Sequence, residues 1–207
     1  MLPFFLPKVR PPIIKAIGLE HAQWDSAQLL LVTGNNASGK SVFRRLCQSF
    51  LRDEGEVIHL SQQGRAKGGI ERVFIYGNEE DEATGIISAN CLIKAFRTSR
   101  GREKPHILVF DEPEIGMGEE AQIGAATFIK EQFDDIPKHL MGIVIMTHSR
   151  HVVTILKDVP HCGFIHLGNT YKTADEWLSR PLVPLSPQQL TKNGIDKWHE
   201  VSAALKR

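Results

Sequence analysis

The chain has 207 residues, room for one domain of ordinary size and little more. Its 42% apolar and 24% charged residues are those of a globular fold that can bury a core without staples. Lys plus Arg number 25 and Asp plus Glu 24, a net charge of +1, so composition supplies no general drive toward nucleic acid or an anionic membrane surface. Cys47, Cys91 and Cys162 are odd in number and widely spaced, which argues against a disulfide framework and for a reducing cytoplasm. No stretch approaches the ~20 apolar residues of a membrane span. The start, MLPFFLPKVRPP, has no basic stretch before its short apolar run and is broken by proline, so no leader peptide is expected.

Strand-length apolar runs alternate with helical patterns. Residues 13–19 read as a strand. Residues 28–33 (QLLLVT) form a continuous apolar run ending at glycine, the pattern of a buried parallel strand. From Gly39 onward Val42, Phe43, Leu46, Phe50 and Leu51 recur at helical spacing. Residues 56–60 and 72–76 are short strands, and 88–96 a helix. Residues 106–110 (HILVF) and 141–146 (MGIVIM) are further buried strands, with a helix over 119–133 between them. Ser149 caps a helix that runs to Leu156, and residues 163–167 are the last strand. The alternation predicts an α/β fold with a mostly parallel central sheet flanked by helices.

The tail differs. Pro181, Pro184 and Pro187 punctuate a linker, dividing a core over 1–180 from a helical tail over 181–207. Ser186, Pro187, Gln188 and Gln189 fit a capping box with proline at the first helical position. Asn193 and Gly194 are placed to end that helix. Ile195, Trp198, Val201 and Leu205 then form an apolar stripe on a final helix, for docking on the domain or on a partner.

Gly34, Asn35, Asn36, Ala37, Ser38, Gly39, Lys40 and Ser41 match G-x-x-x-x-G-K-[ST] in full, between a strand and a helix. Glycines there let backbone N–H groups turn inward around phosphate oxygens, and the helix N-terminus adds a positive dipole end. Lys40 is suited to reach β- and γ-phosphates, and the Ser41 hydroxyl to ligate Mg²⁺. Asp111 and Glu112 close the apolar strand ending at Phe110, where ligands bind in open parallel sheets. Asp111 suits a Mg²⁺ ligand through water, and Glu112 suits the base that takes a proton from attacking water. His148 follows another buried strand and is a candidate contact for a γ-phosphate. His148 and His151 are three apart, but no Cys or acid completes a zinc set.

These elements, in this order, resemble the ABC-class ATPases over residues 13–178. The resemblance implies a P-loop ATPase that binds ATP and Mg²⁺, with a small antiparallel strand element beside the main sheet. It makes the 34–41 segment the Walker A loop, residues 107–112 the Walker B strand and His148 the switch histidine. It makes Gln62 the Q-loop glutamine, helping to hold Mg²⁺ and the attacking water. The signature loop corresponds to residues 83–88, with Thr84 in place of the usual serine and followed by Gly85. The D-loop corresponds to residues 114–118, with glycine where an Asp is usual. The run Asp-Glu-Pro-Glu-Ile-Gly is more like soluble RecF-like and OLD-like ATPases and chromosome-maintenance ATPase heads than transporter motors. Only 21 residues separate Gln62 from Thr84, too few for a transporter's helical subdomain or a long coiled coil.

Three roles follow as expectations. The first is an ATP-driven switch in DNA repair, recombination or antiviral defence, working as an ATP-dependent homodimer. A basic loop (Arg97, Arg100, Arg102, Lys104) and a second cluster (Arg65, Lys67, Arg72) favour it, while Glu79, Glu80, Asp81 and Glu82 oppose it. The second is a regulatory ATP-binding module with a protein partner. The third is a transporter motor subunit.

Overall fold

The computed structural model describes residues 1–24, 26–61, 83–168 and 170–206. Five strands form one sheet: β1 (Leu29–Thr33), β2 (Glu56–Ser61), β3 (His106–Asp111), β4 (Leu140–Met146) and β5 (Cys162–His166). Their order is β2-β3-β4-β1-β5, and every pairing is parallel. The helices are α1 (Pro11–Ala16), α2 (Lys40–Phe50), α3 (Thr84–Arg100), α4 (Glu119–Glu131), α5 (Arg150–Leu156), α6 (Ala174–Ser179) and α7 (Pro187–Lys206). A short 3-10 helix, Leu6–Lys8, precedes them. No described helix is long and apolar enough to cross a membrane.

The continuous apolar runs are explained by burial on both sheet faces. Leu30, Val32, Ile107, Val109, Val144 and Met146 join one core, with Phe43, Cys47 and the amino-terminal segment. Leu29, Leu31, Leu108, Phe110, Ile143 and Ile145 join the other, with Leu92, Phe96, Ile129 and Val153. Alternation along each strand therefore sends successive side chains to opposite layers. In the first core Phe5 stacks on Phe50 at 5.8 Å between ring centroids and meets Trp24 edge-on at 5.3 Å.

Several sequence expectations are corrected. Residues 13–19 do not form a strand. Pro11 and Pro12 stand at the first helical positions, where a missing N–H costs nothing, and α1 buries Ile13 and Ala16 one turn apart. No antiparallel pairing occurs among the described residues, so the small antiparallel element is not seen. The expected strand at 72–76 lies outside the described residues. Helix α3 begins at Thr84, four residues before the expected start.

The capping box at α7 is present in both directions. The Ser186 N–H donates to Gln189 Oε1 at 2.9 Å, and the Gln189 N–H donates to Ser186 Oγ at 3.2 Å. Asn193 and Gly194 do not end this helix, which continues to Lys206. Tertiary contacts hold it: Val201 and Ala204 are buried against α1, and Lys197 Nζ donates to Ala16 O at 2.8 Å. Arg10 Nη2 donates to Leu205 O at 2.9 Å, satisfying a carbonyl of the last turn. Ile195, Trp198 and Leu205 of the expected stripe are exposed.

Gly194 thus lies inside a helix, where glycine costs about 1 kcal/mol relative to alanine. A Cβ there would sit 3.8 Å from Ala37 Cβ, an ordinary contact. Gly194→Ala is expected to stabilise the protein by about 0.5–1 kcal/mol, read as a higher urea midpoint at unchanged slope. A helix ending at Gly194 in a left-handed turn would give the opposite sign.

Candidate functional site

Strand order builds the site. Because β4 lies between β1 and β3, the glycine-rich loop after Thr33 and the acids at the end of β3 flank the segment leaving β4. Two backbone bonds carry the ladder past the strand ends. The Thr147 N–H donates to Val32 O at 3.0 Å, and the Glu112 N–H donates to Met146 O at 2.8 Å. His148 follows directly. Ser61 is in register with Asp111, so β2 also ends beside the acids. Gln62, expected to hold metal and water, lies outside the described residues.

The glycine-rich loop over 34–41 has the conformation its glycines permit. Gly39 caps α2 at φ +105°, a region closed to most side chains, and a Cβ there would lie 2.7 Å from Ile17 Cγ2. Ala37 stands at φ +66° without that freedom, a local strain of the kind found at binding loops. The cradle suits an anion. A Cβ at Gly34 would collide with Ser38 Oγ, and that hydroxyl is buried with no hydrogen-bond partner among the described residues.

Lys40, Glu112 and His148 come together. Lys40 Nζ donates to Gly34 O at 3.3 Å, makes a short hydrogen bond with His148 Nε2 and stands 3.9 Å from Glu112 Oε1. His148 Nε2 is 3.2 Å from Glu112 Oε1. The His148 hydrogen bond pulls the Glu112 pKa below the usual glutamate range, against the opposing effect of burial. Burial lowers the Lys40 pKa, with Glu112 and Asp111 pulling it back up. Glu112 itself has φ +55°, which turns its carboxylate out of the strand line.

Asp111 is held differently. Burial raises its pKa, and Arg44 counters this, with Nη1 donating to Asp111 Oδ2 at 3.1 Å. Arg44 was not among the expected site residues. Its spacing of four from Lys40 puts both on one face of α2 and is the signal that could have found it. Glu114 was also missed. It is buried, and its Oε1 accepts from Thr147 Oγ1 at 2.5 Å and from the His148 N–H at 3.3 Å. Burial raises its pKa, and Oε2 has no hydrogen-bond partner among the described residues. Glu114 therefore positions the turn that carries His148.

Ser41 and Asp111 offer hard oxygen donors, the chemistry Mg²⁺ requires. No cluster of three His, Cys, Asp or Glu side chains fit for a metal occurs among the described residues. Mg²⁺ at nucleotide sites is commonly held by one or two protein oxygens together with phosphate and water, a pattern Ser41 and Asp111 fit.

Asn36, Ala37, Gly39, Lys40, Ser41 and Glu112 line one side of an open cleft of about 330 Å³. The α7 residues Gly194, Lys197, Trp198 and Val201 line the other. Thr84 and Gly85 are not part of this cleft. They pack on the segment after Glu114, where Ser88 Oγ donates to Ile115 O at 2.9 Å and a Cβ at Gly85 would lie 2.6 Å from Gly116 O. Of the basic loop, Arg100 pairs with Gln132 and Asp135, and Arg102 pairs with Glu56. That leaves less free positive charge than the sequence suggests. Arg65, Lys67, Arg72 and the acids at 79–82 lie outside the described residues.

His166, at the end of β5, borders the loop from the other flank, with Nδ1 3.0 Å from Thr33 Oγ1. Burial, aided by Arg180 and Lys40, lowers its pKa to about 4, so the fold holds it neutral. An unfolded histidine titrates near 6.5, so the stability of the neutral form is complete above that pH. It is lost as pH falls toward 4, because the unfolded chain binds the extra proton. At ~1.4 kcal/mol per pKa unit the expected loss is up to about 3 kcal/mol, and a His166→Gln variant should lack it when urea midpoints are compared across this range.

No protein-family model matches the chain. The search of curated proteins finds no relative. Among solved structures, a chain of the E. coli MS115-1 HORMA:CdnC:Trip13 complex is 12% identical, with 98% of this chain and 79% of that one covered. Its TM-score is 0.40, a likeness too slight to carry any argument.

Proposed function

We propose that this chain is a Mg²⁺-dependent ATPase of the ABC class, resembling the soluble RecF-like and OLD-like enzymes, that switches by ATP-dependent homodimerisation. The observation that supports it most is the meeting of Lys40, Glu112 and His148 beside a complete phosphate loop. Lys40 and the loop N–H groups bind the β- and γ-phosphates. The Glu112 carboxylate takes a proton from water as its oxygen attacks the γ-phosphorus and the bond to ADP breaks. His148 orients Glu112 and meets a γ-phosphate oxygen. Mg²⁺ at Ser41 and Asp111 would neutralise charge on the phosphates. Arg44 holds Asp111 in place by charge-assisted hydrogen bonding.

In the dimer, Thr84 and Gly85 of one subunit face the nucleotide held by the loop of its partner, with a two-fold axis between them. Their position outside their own cleft is compatible with that role. Hydrolysis removes the phosphate bridge and releases the dimer. Light scattering of Glu112→Gln with and without Mg-ATP tests this: a dimer is expected only with nucleotide. A monomer in both, well above micromolar protein, rejects the model. Gly85→Asp is a poor probe, because its side chain meets Gly116 of the same chain.

The work we infer for this switch is in DNA repair, recombination or antiviral defence, in the cytoplasm. ATPase rate with and without duplex DNA at two salt concentrations tests that role. A stimulation that fades with salt is expected. A regulatory module with a protein partner is the second reading. Leu182, Val183 and Leu185, exposed just before α7, favour it. No stimulation by DNA at either salt selects it.

A further inference from the structure

The cleft beside the phosphate loop is lined by two kinds of side chain. Its lining combines the charged and polar Lys40, Ser41 and Glu112 with the apolar Ala37, Val42, Trp198 and Val201. Its second wall is the carboxy-terminal helix. That wall is seated by buried Val201 and Ala204, by Lys197 Nζ on Ala16 O and by Arg10 Nη2 on Leu205 O. Lys197 is further engaged by Glu200 Oε2 at 2.6 Å. Trp198 takes no part in the seating. It is 63% exposed, whereas Trp24 and Trp177 are 3% and 1% exposed. A large aromatic is thus held on a fixed helix, open to solvent, facing a loop built for phosphates. Among the described residues it is the one aromatic lining this cleft.

We propose that Trp198 is the stacking platform for the nucleobase of the bound nucleoside triphosphate, so that α7 completes the site. This rests on the nucleotide reading of the phosphate loop. A ligand that matches both kinds of lining carries phosphates for the loop and a flat apolar ring for the indole on α7. An indole face offers such a ring van der Waals contact and π-stacking while shedding water from both surfaces. The platform is inexpensive in entropy because Val201, Ala204 and Lys197 already fix its helix. Gly194, one turn earlier, presents no side chain to Ala37, whose Cβ would lie 3.8 Å from a Cβ at that position.

Trp198 is the exposed tryptophan, so acrylamide quenching of intrinsic fluorescence reports on it. Mg-ATP is expected to shield it, and Mg-tripolyphosphate, which has no base, to leave it accessible. In calorimetry Trp198→Ala should weaken ATP binding about 5- to 100-fold and leave tripolyphosphate binding within about twofold. Trp198→Phe should restore most of the ATP affinity. Equal losses for both ligands, or a Trp198 still quenched in saturating ATP, overturn the platform while leaving the nucleotide reading intact. If neither ligand binds the native chain, or binding survives Lys40→Ala, the nucleotide reading fails and the platform with it.

Discussion

Lys40→Ala is expected to weaken Mg-ATP binding by about 10²- to 10⁴-fold. Charge-assisted hydrogen bonds contribute about 1.5–3 kcal/mol each, and the Lys40 ammonium can make two to the β- and γ-phosphates. The loop N–H groups remain and account for any residual affinity. The variant should still fold. Lys40 is already held below its usual pKa by burial, so removing it also removes a buried charge. Calorimetry alongside thermal denaturation separates the two effects. Unchanged affinity in a folded variant would remove the basis for calling this loop a nucleotide site.

Glu112→Gln is expected to leave ATP affinity within a few-fold and to slow single-turnover hydrolysis by about 10²- to 10⁴-fold, the usual contribution of general-base catalysis. The amide keeps the size of the carboxylate and can still hydrogen-bond His148, but it cannot accept the proton of the attacking water. The lowered pKa of Glu112 keeps it ionised, and therefore able to act as a base, down to acidic pH. It also makes Glu112 a weaker base than an unperturbed glutamate. The approach of γ-phosphate, drawing Lys40 and His148 toward its oxygens, would raise that basicity when it is needed. A fall of less than about tenfold would place the base elsewhere.

The acids of the site are held by partners from neighbouring elements. Asp111 leans on Arg44, Glu112 on His148 and Lys40, and Glu114 on Thr147 and the His148 N–H. Removing Arg44 leaves the partly buried Asp111 charge without its partner, and removing Glu114 leaves the Thr147 hydroxyl and the His148 N–H without their acceptor, both of which carry a cost in stability. Variants at Arg44 or Glu114 therefore report on stability and on catalysis together. Trp198, outside this network, is a cleaner probe of ligand contact.

The local elements were legible where residue type and period agreed. The runs at 28–33, 106–110 and 141–146 became strands because four or more consecutive apolar residues have no place except between two helical layers. Ser149 caps α5 through the Val152 N–H, as a hydroxyl before an apolar helix should. The loop of residues 34–41 was readable because its glycines have a backbone task that other residues cannot perform.

Other features needed the third dimension. Ile13, Ile14 and Ile17 suggest a strand by β-propensity, but paired prolines and burial against α7 made the segment a helix. Gly194 reads as a stop, yet Val201, Ala204 and Lys197 hold the helix through it, because packing outweighs a propensity difference of about 1 kcal/mol. By itself the amino-acid sequence determined that a glycine-rich loop, a pair of acids and a histidine each close a buried strand, since strand ends and glycine turns are local properties. Only the tertiary structure decided that β4 lies between β1 and β3, that Arg44 and Glu114 steady the acids and the histidine, and that the last helix walls the cleft. Those are contacts between residues more than 30 positions apart, set by sheet order and helix packing rather than by any local pattern.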